Sequence, residues 1–556
     1  MAYVITRSCC SDALCAAVCP VDCIHPTPTD PDFGHTEMLY IDPARCIDCA
    51  ACADVCPVDA IFADDELPST EATYAAINAG YFSTAAAPPA SSTLPGPPVR
   101  TSEALTVAVV GAGPSGFYAA AELLDAGPEV TVTLIDRLPT PYGLVRTGVA
   151  PDHQDTKRIT TIFAATAAHP RLDAHFNVEV GTDVNHDELL AHHHAVVYAT
   201  GAPVGRRLGV PGEHLPGTFT AAEIVGWYNG HPDHADLTVT AGHPTAVLVG
   251  NGNVALDVAR VLLLGGRMGH TDIADHARET LQDSGIREVI ILGRRGPEHA
   301  AFSFSQLLAL AQLDGVDVVV DPAELADAVT PVGRPHPAAF AGAKKLALLH
   351  ELSVRAPQHD RRIHLRFSAA LRAVSGTERV QTVTVASSEG SESVMAAGIV
   401  VSCIGFDARP IDGLAFDADS QRVPNHGGRV LDGAGRVVTG HYVTGWAKRG
   451  PSGVIGTNKL CAAETVAALL DDHRRGLLRP PRELPQTLAA RLDDRSIDRI
   501  DRGGWLRIDE HERSIGSASG RPRRKSVRRE EMIEIAYPDE EFVAGSRPVY
   551  QPRRNA

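Results

Sequence analysis

Three observations predict an α+β head followed by a doubled α/β body. Nine of the eleven cysteines lie in the first 56 residues, in two copies of one spacing. Further on, two apolar strands each run into a glycine turn and then a helix, at 106–124 and 246–264. A stretch rich in alanine and proline (85–98) parts the head from them. At 556 residues the chain exceeds what one core supports, so about three domains are expected.

The second cysteine copy reads Cys46-x2-Cys49-x2-Cys52-x3-Cys56-Pro57. The first, Cys9-x2-Asp12-x2-Cys15-x3-Cys19-Pro20, carries aspartate at one cysteine position. This spacing resembles that of bacterial ferredoxins, whose cysteine runs wrap cubane iron–sulfur clusters. Closely spaced thiolates reach one cluster from one loop, while the cysteine before proline reaches the other. Cys46, Cys49, Cys52 and Cys19 would then bind one [4Fe–4S] cluster. Cys9, Cys15 and Cys56 would bind a second. That one is either [3Fe–4S] or a [4Fe–4S] cluster with Asp12 or Cys10 as fourth ligand. A carboxylate is harder than a thiolate and holds iron less tightly. The complete site is expected to serve the electron relay. Cys23 has no slot and reads as a buried thiol, and the paired Cys-Pro runs argue against zinc.

Charge narrows the function classes. A net charge of −17 argues against nucleic acid and anionic membrane as partners. Residues 1–66 carry twelve Asp or Glu against Arg7 and Arg45, so the head should dock on basic side chains. Lys157, Arg158, Lys448 and Arg449 are the candidates. No apolar run reaches the roughly 18 residues of a membrane span, and the start lacks a secretory pattern. Clustered cysteines then favour metal over disulfides, and a cytoplasmic location is expected. The boundaries read as a head at 1–66, a linker at 67–104, a first nucleotide unit at 105–205 resuming at 401–520, a second at 206–400 inserted within it, and a polar tail at 521–556. The run Arg521-Pro-Arg-Arg-Lys-Ser-Val-Arg-Arg529 reads as solvated, the last fifteen residues as frayed, and His192-His193-His194 as solvent-facing.

The first turn, Gly111-Ala-Gly113-Pro-Ser-Gly116, follows a strand and opens a helix. Asp136 follows 20 residues later at the end of the next strand. That is the context of a dinucleotide site, with pyrophosphate on the helix N-terminus and an acid on the ribose hydroxyls. The second turn is Gly250-Asn251-Gly252-Asn253-Val254-Ala255. The strand after it ends in Gly293-Arg294-Arg295-Gly296. Guanidinium groups where the acid would stand favour a 2′-phosphate, hence NADP(H).

Four long motifs carry a closer resemblance. They are Leu138-Pro-Thr-Pro-Tyr-Gly-Leu-Val-Arg-Thr-Gly-Val-Ala-Pro-Asp-His153, Gly250–Arg260, Gly293–Pro297 and Gly445-Trp-Ala-Lys-Arg-Gly-Pro-Ser-Gly-Val-Ile-Gly-Thr-Asn458. Over about 104–520 the chain resembles adrenodoxin-reductase-type ferredoxin–NADP reductases; with its head it resembles a ferredoxin/ferredoxin–NADP reductase fusion. The resemblance implies an α+β ferredoxin-like domain, then an FAD Rossmann domain with an inserted NADP Rossmann domain. Ser115, Asp136, Leu144 and Val180 would touch FAD, and Trp446, Gly453, Val454 and Ile455 would lie against the flavin. Arg206, Asn251 to Val254, Arg294, Arg295 and Gln306 would hold NADP(H), with glutamine where the family often has glutamate. His153, after Asp152, would tune or relay protons. FAD would match NADPH, a two-electron donor, to one-electron carriers in the head or in an external ferredoxin. A glutamate-synthase-small-subunit-like flavoprotein and an iron–sulfur redox sensor are the rival readings.

Overall fold

The computed structural model describes residues 2–84, 100–326, 328 and 337–538. The head is a pair of short ribbons. Tyr3–Ile5 pairs antiparallel with Ile61–Ala63, and Ile24–His25 with Tyr40–Ile41. The two cysteine loops carry matching short helices, Leu14–Val18 and Ala51–Asp54. So small a fold buries little apolar surface, and a helix outside the cysteine repeat supplies more. Thr73–Thr84 lays Tyr74, Ile77 and Tyr81 into the head, where Tyr81 stacks on Tyr40 at 4.3 Å between centroids. Asn78 on the same face accepts the Ile5 and Ile41 amides at 3.2 and 2.9 Å and donates to Ile5 O at 2.8 Å. The expected linker at 67–104 is therefore corrected at its start: this helix belongs to the head. The Pro/Ala stretch at 85–98 lies outside the described residues.

Two sheets form the body. The first has seven strands, ordered Asn425–His426, Arg429–Leu431, Val437–Val443, Ala195–Tyr198, Leu105–Val110, Val130–Asp136 and Leu172–Phe176. From Val437–Val443 onward its neighbours run parallel. The second has six strands, ordered Thr218–Thr220, Ile399–Ser402, Thr245–Val249, Glu288–Leu292, Arg361–Arg366 and Val316–Val320. It is parallel throughout. Parallel sheets are covered on both faces, which is why these strands read as near-continuous Val, Ile and Leu. All strands of the second sheet fall between Ala195–Tyr198 and Val437–Val443 of the first, so the second unit is an insertion. The chain crosses out and back side by side, Val204–Gly205 pairing antiparallel with Phe406–Asp407. A three-stranded antiparallel meander, Ala369–Ala396, is appended to the second unit.

Two surface expectations are overturned. Arg521, Lys525 and Ser526 are buried. Arg521 pairs with Asp275, and Lys525 reaches Asp272 at 3.0 Å. Arg523 reaches Glu512 at 2.9 Å, and helix Arg529–Ala536 follows. The basic run is a seam closing both units, because Asp272 and Asp275 come from far away in sequence and Glu512 from the helix before it. The end of the expected tail, from 539, lies outside the described residues. His192 and His193 are likewise buried. Their Nδ1 atoms meet the carbonyls of Glu188 and Leu189 at 2.7 and 2.9 Å, and His193 Nε2 meets Thr133 Oγ1 at 2.8 Å. Burial pulls the His193 pKa down to about 4, so the ring is neutral.

Candidate functional site

The cysteines are distributed over two cavities. Cys9, Cys15 and Cys56 line one, together with Cys10 and Asp12. Cys19, Cys46, Cys49 and Cys52 line the other, together with Cys23. Each cysteine before proline thus faces the other loop's cavity. All eleven cysteines are free thiols. Among the described residues no three His, Cys, Asp or Glu side chains converge as a single ion needs; sulfur atoms spread round a cavity suit a cluster. Burial pushes the Cys9 thiol up to about 11 and Cys52 up to about 12, so iron must displace protons to bind. Asp12 is buried, and desolvation raises its pKa against the opposing pull of Lys459. Cys23 was expected to have no slot; it lies 3.4 Å from the Cys19 sulfur, on the second cavity.

The head docks with the three-cysteine cavity inward. Gly456 N donates to Cys10 O at 2.9 Å, and Lys459 Nζ to Asp12 O at 3.4 Å. A Cβ on Gly456 would stand 2.0 Å from Ser11 O, so this approach requires glycine. Gly456 directly follows Gly453, Val454 and Ile455. The Asp12 cavity, and not the four-cysteine one, is therefore the one beside the turn that would lie against a flavin. Cys49 is exposed on the other side. Of the four basic residues expected to receive the head, Arg158 alone does, 2.5 Å from Asp59. Lys157 is buried on Asp272 at 2.7 Å, Lys448 pairs with Glu464 at 2.7 Å, and Arg449 donates to Asn458 at 3.1 Å. Lys459 was missed because its partner is a backbone carbonyl of the head.

Both glycine turns are built alike. Gly111 and Gly250 hold φ of +108° and +112°, and a Cβ at either would stand 2.4 Å from the carbonyl of Ala199 or Cys403, just past the end of the adjoining strand. At Gly252 a Cβ would meet nothing within 4 Å, and at Gly113 nothing nearer than 3.8 Å, so backbone there lies open to a ligand. The helices Pro114–Ala126 and Asn253–Leu264 start at these turns, with Gly116 and Ala255 buried in the third positions. Asp136 accepts the Ala112 and Leu138 amides at 2.6 and 2.8 Å, so it also fixes the first turn. Ser115 donates to Asn458 at 2.8 Å, tying the turn to the 445–458 motif. Leu144 and Val454 are exposed, as apolar side chains awaiting a flat ligand would be. Trp446 donates to Ser452 O at 3.1 Å and tilts toward Phe406. Val180 bridges to Val184 and is partly buried.

On the second unit Arg294 and Arg295 are exposed just past the strand Glu288–Leu292. Arg206 pairs with Asp407 at 2.6 Å across the ribbon. Gln306 Oε1 is buried without a hydrogen-bond partner among the described residues, as a group reserved for a ligand would be. Asp152 and His153 meet at a residue whose part was not foreseen. Arg260, buried on the helix Asn253–Leu264, forks onto Asp152 at 2.6 and 3.0 Å and reaches Asp257 at 2.8 Å. It also donates to His153 Nε2 at 3.0 Å. Burial, with the Arg260 charge, lowers the His153 pKa against the pull of Asp257, so the ring is neutral and accepts at Nε2. The clue in the sequence is an arginine in mid-helix, three residues after Asp257 on a helix that is otherwise mostly apolar.

The geometry defines a class: an oxidoreductase with two dinucleotide cradles and an iron–sulfur head. Residues 105–291 match the pyridine nucleotide-disulphide oxidoreductase family and residues 39–62 the 4Fe-4S binding domain family. A probable ferredoxin/ferredoxin–NADP reductase of Mycobacterium tuberculosis is 47% identical, over 96% of this chain and 95% of that protein. The mitochondrial NADPH:adrenodoxin oxidoreductase of Arabidopsis thaliana is 36% identical, over 78% and 96%. The structure of M. tuberculosis FprA in complex with NADPH superposes with a TM-score of 0.73, at 39% identity, over 78% of this chain and all of that one. The chain belongs to the ferredoxin/ferredoxin–NADP reductase family, and FAD, NADP(H) and a [4Fe–4S] cluster are its cofactors. No described helix is long and apolar enough to cross a membrane.

Proposed function

We propose that the chain is a cytoplasmic ferredoxin–NADP(+) reductase of the EC 1.18.1.2 type. It moves electrons singly between NADPH and its own head or an external one-electron acceptor protein. The observation that carries this reading is the seating of the Cys10–Asp12 loop on Gly456, beside the turn Gly453–Ile455. FAD, when bound, supplies the exchange between a two-electron donor and one-electron carriers. The residues do the positioning. Gly111, Gly113 and Gly116 leave room for the FAD pyrophosphate on a helix N-terminus, and Asp136 stands at the ribose. Gly252, with Asn251, Asn253 and Val254, does the same for NADP(H). Arg294 and Arg295 take the 2′-phosphate, with Arg206 and Gln306 around the rest. Neutral His153, held by Arg260, keeps an acceptor nitrogen at the joint between the units.

Two measurements test this. Replacing Arg294 and Arg295 by alanine should raise KM for NADPH by about tenfold to a hundredfold, the worth of a few charge-assisted hydrogen bonds. KM for NADH should change far less; equal changes would remove the 2′-phosphate assignment. The Asp12 cavity is proposed to hold a [3Fe–4S] cluster. Asp12→Cys should then convert a three-iron electron paramagnetic resonance signal into a second four-iron one, and an unaltered spectrum would take Asp12 away from the open corner.

A further inference from the structure

The head touches the nucleotide unit through a side chain that neither the cysteine pattern nor the glycine turns single out. Glu37 Oε1 accepts the Phe304 amide at 2.6 Å, and Oε2 accepts the Ser305 amide at 3.1 Å and its hydroxyl at 3.3 Å. These amides open the helix Phe304–Ala311, where the first-turn N–H groups have no partner inside the helix and a carboxylate is favoured by the dipole. The residues just before are bound to the Gly250 turn. Phe302 N donates to Asn251 O at 2.9 Å, and Ser303 N to Asn253 Oδ1 at 2.8 Å. Lys345 braces the stretch from a third side, donating to Ala300 O at 2.6 Å and Phe302 O at 3.1 Å. Residues 300–305 thus form a strap with the head at one end, Lys345 at the other and the turn's two asparagines between them. Gln306, with its unpartnered Oε1, follows directly.

The geometry points to Glu37 as a positioning residue for NADP(H), reaching from the head into the pocket of the other unit. The inference rests on the reading of 250–254 as the NADP(H) turn. With Glu37 in place the strap holds Asn251, Asn253 and Gln306 in one arrangement before the dinucleotide arrives, so less ordering remains to be done on binding. Without it, two helix N–H groups lose their acceptor and the strap loosens. Coupling between two bound groups is reciprocal, so NADP(H) holds the head down by the factor by which the head tightens NADP(H).

NADP⁺ titration of the full-length, FAD-loaded protein, followed by flavin absorbance and by calorimetry, tests this. Glu37→Ala should raise Kd by about threefold to tenfold, the scale of a lost helix cap. Glu37→Gln, which keeps an acceptor oxygen and loses the charge, should fall between Ala and wild type. KM for NADPH in ferricyanide reduction should rise by the same factor, by more than kcat falls. Asp59→Ala, which breaks the Arg158 contact on the other side of the head, should leave Kd unchanged. An unchanged Kd in both Glu37 variants overturns the inference, as does a rise in Asp59→Ala equal to that in Glu37→Ala. Asn253→Ala separates the two layers. If it binds NADP⁺ like wild type, the reading of the turn fails. If it weakens binding while the Glu37 variants do not, the role of Glu37 alone fails.

Discussion

A chain shortened to residues 100–556 should, at saturating NADPH, reduce ferricyanide at the full rate and cytochrome c about a hundredfold more slowly, the scale on which tethering raises local concentration. Ferricyanide is small enough to meet the flavin cleft directly, whereas a protein acceptor is served through the head. The cut falls at 100 because the helix Thr73–Thr84 buries Tyr74, Ile77 and Tyr81 in the head and would be stranded by a cut at 66. Truncation also bares surface, since Cys10, Val58 and Ala60 share a core with Tyr118 of the first unit. Cys15→Ser in the full chain avoids that, removing a thiolate from the inner cavity and leaving the interface in place; it should give the same split between acceptors. Full cytochrome c reduction by either variant would show that electrons leave by another route.

Glu512→Ala should cost about 3–5 kcal/mol of stability, read as a lowered urea midpoint with the slope unchanged. The Glu512 side chain is fully buried. It accepts Arg146 Nη1 at 2.8 Å and Nη2 at 2.5 Å, Arg523 Nη1 at 2.9 Å and the Ser526 amide at 3.0 Å. Arg146 belongs to the 138–153 motif and stands 5.6 Å over the Trp505 ring. Removing the carboxylate strands the Arg146 guanidinium at the seam that binds the C-terminal segment to the body, while Arg523 keeps Asp509 at 2.9 Å. The pH dependence has a definite sign. Arg146 and Arg523 outweigh desolvation and hold the Glu512 pKa below its ordinary value. Its contribution is complete above the unfolded carboxyl pKa of about 4.3 and is lost as pH falls through the lower, folded value. The acid limb of the wild-type stability curve should therefore flatten in Glu512→Ala. A loss below about 1 kcal/mol, the worth of a surface pair, would mean that the seam carries little.

The parts legible in the sequence are those whose geometry is local. Cysteine spacing decides which loop can surround a cavity, and a strand, a glycine turn and a helix make a cradle within some twenty residues; both can be read from one stretch of chain. Residues whose environment comes from elsewhere could not be placed this way. Arg521 to Arg529 look solvated until Asp272, Asp275 and Glu512 arrive from other elements. His193 looks exposed until Thr133 meets its ring from another element, and His192 until Glu483 comes within 3.3 Å. Glu37 and Arg260 belong to the same group, for each bridges units that the sequence lists far apart. The helix Thr73–Thr84 differs, because its signal was present. Tyr74, Ile77, Asn78 and Tyr81 recur at helical spacing, diluted by alanines and by a polar member that turns out to face inward.

The paired crossing strands Val204–Gly205 and Phe406–Asp407 have a mechanical consequence. They are a narrow double crossing, and the head spans it: Gly456, Lys459 and Arg158 hold it on one unit, Phe304 and Ser305 on the other. Any turn of one sheet against the other would have to break head contacts on one side as well as the seam at 521–529, so the head is a brace across the crossing.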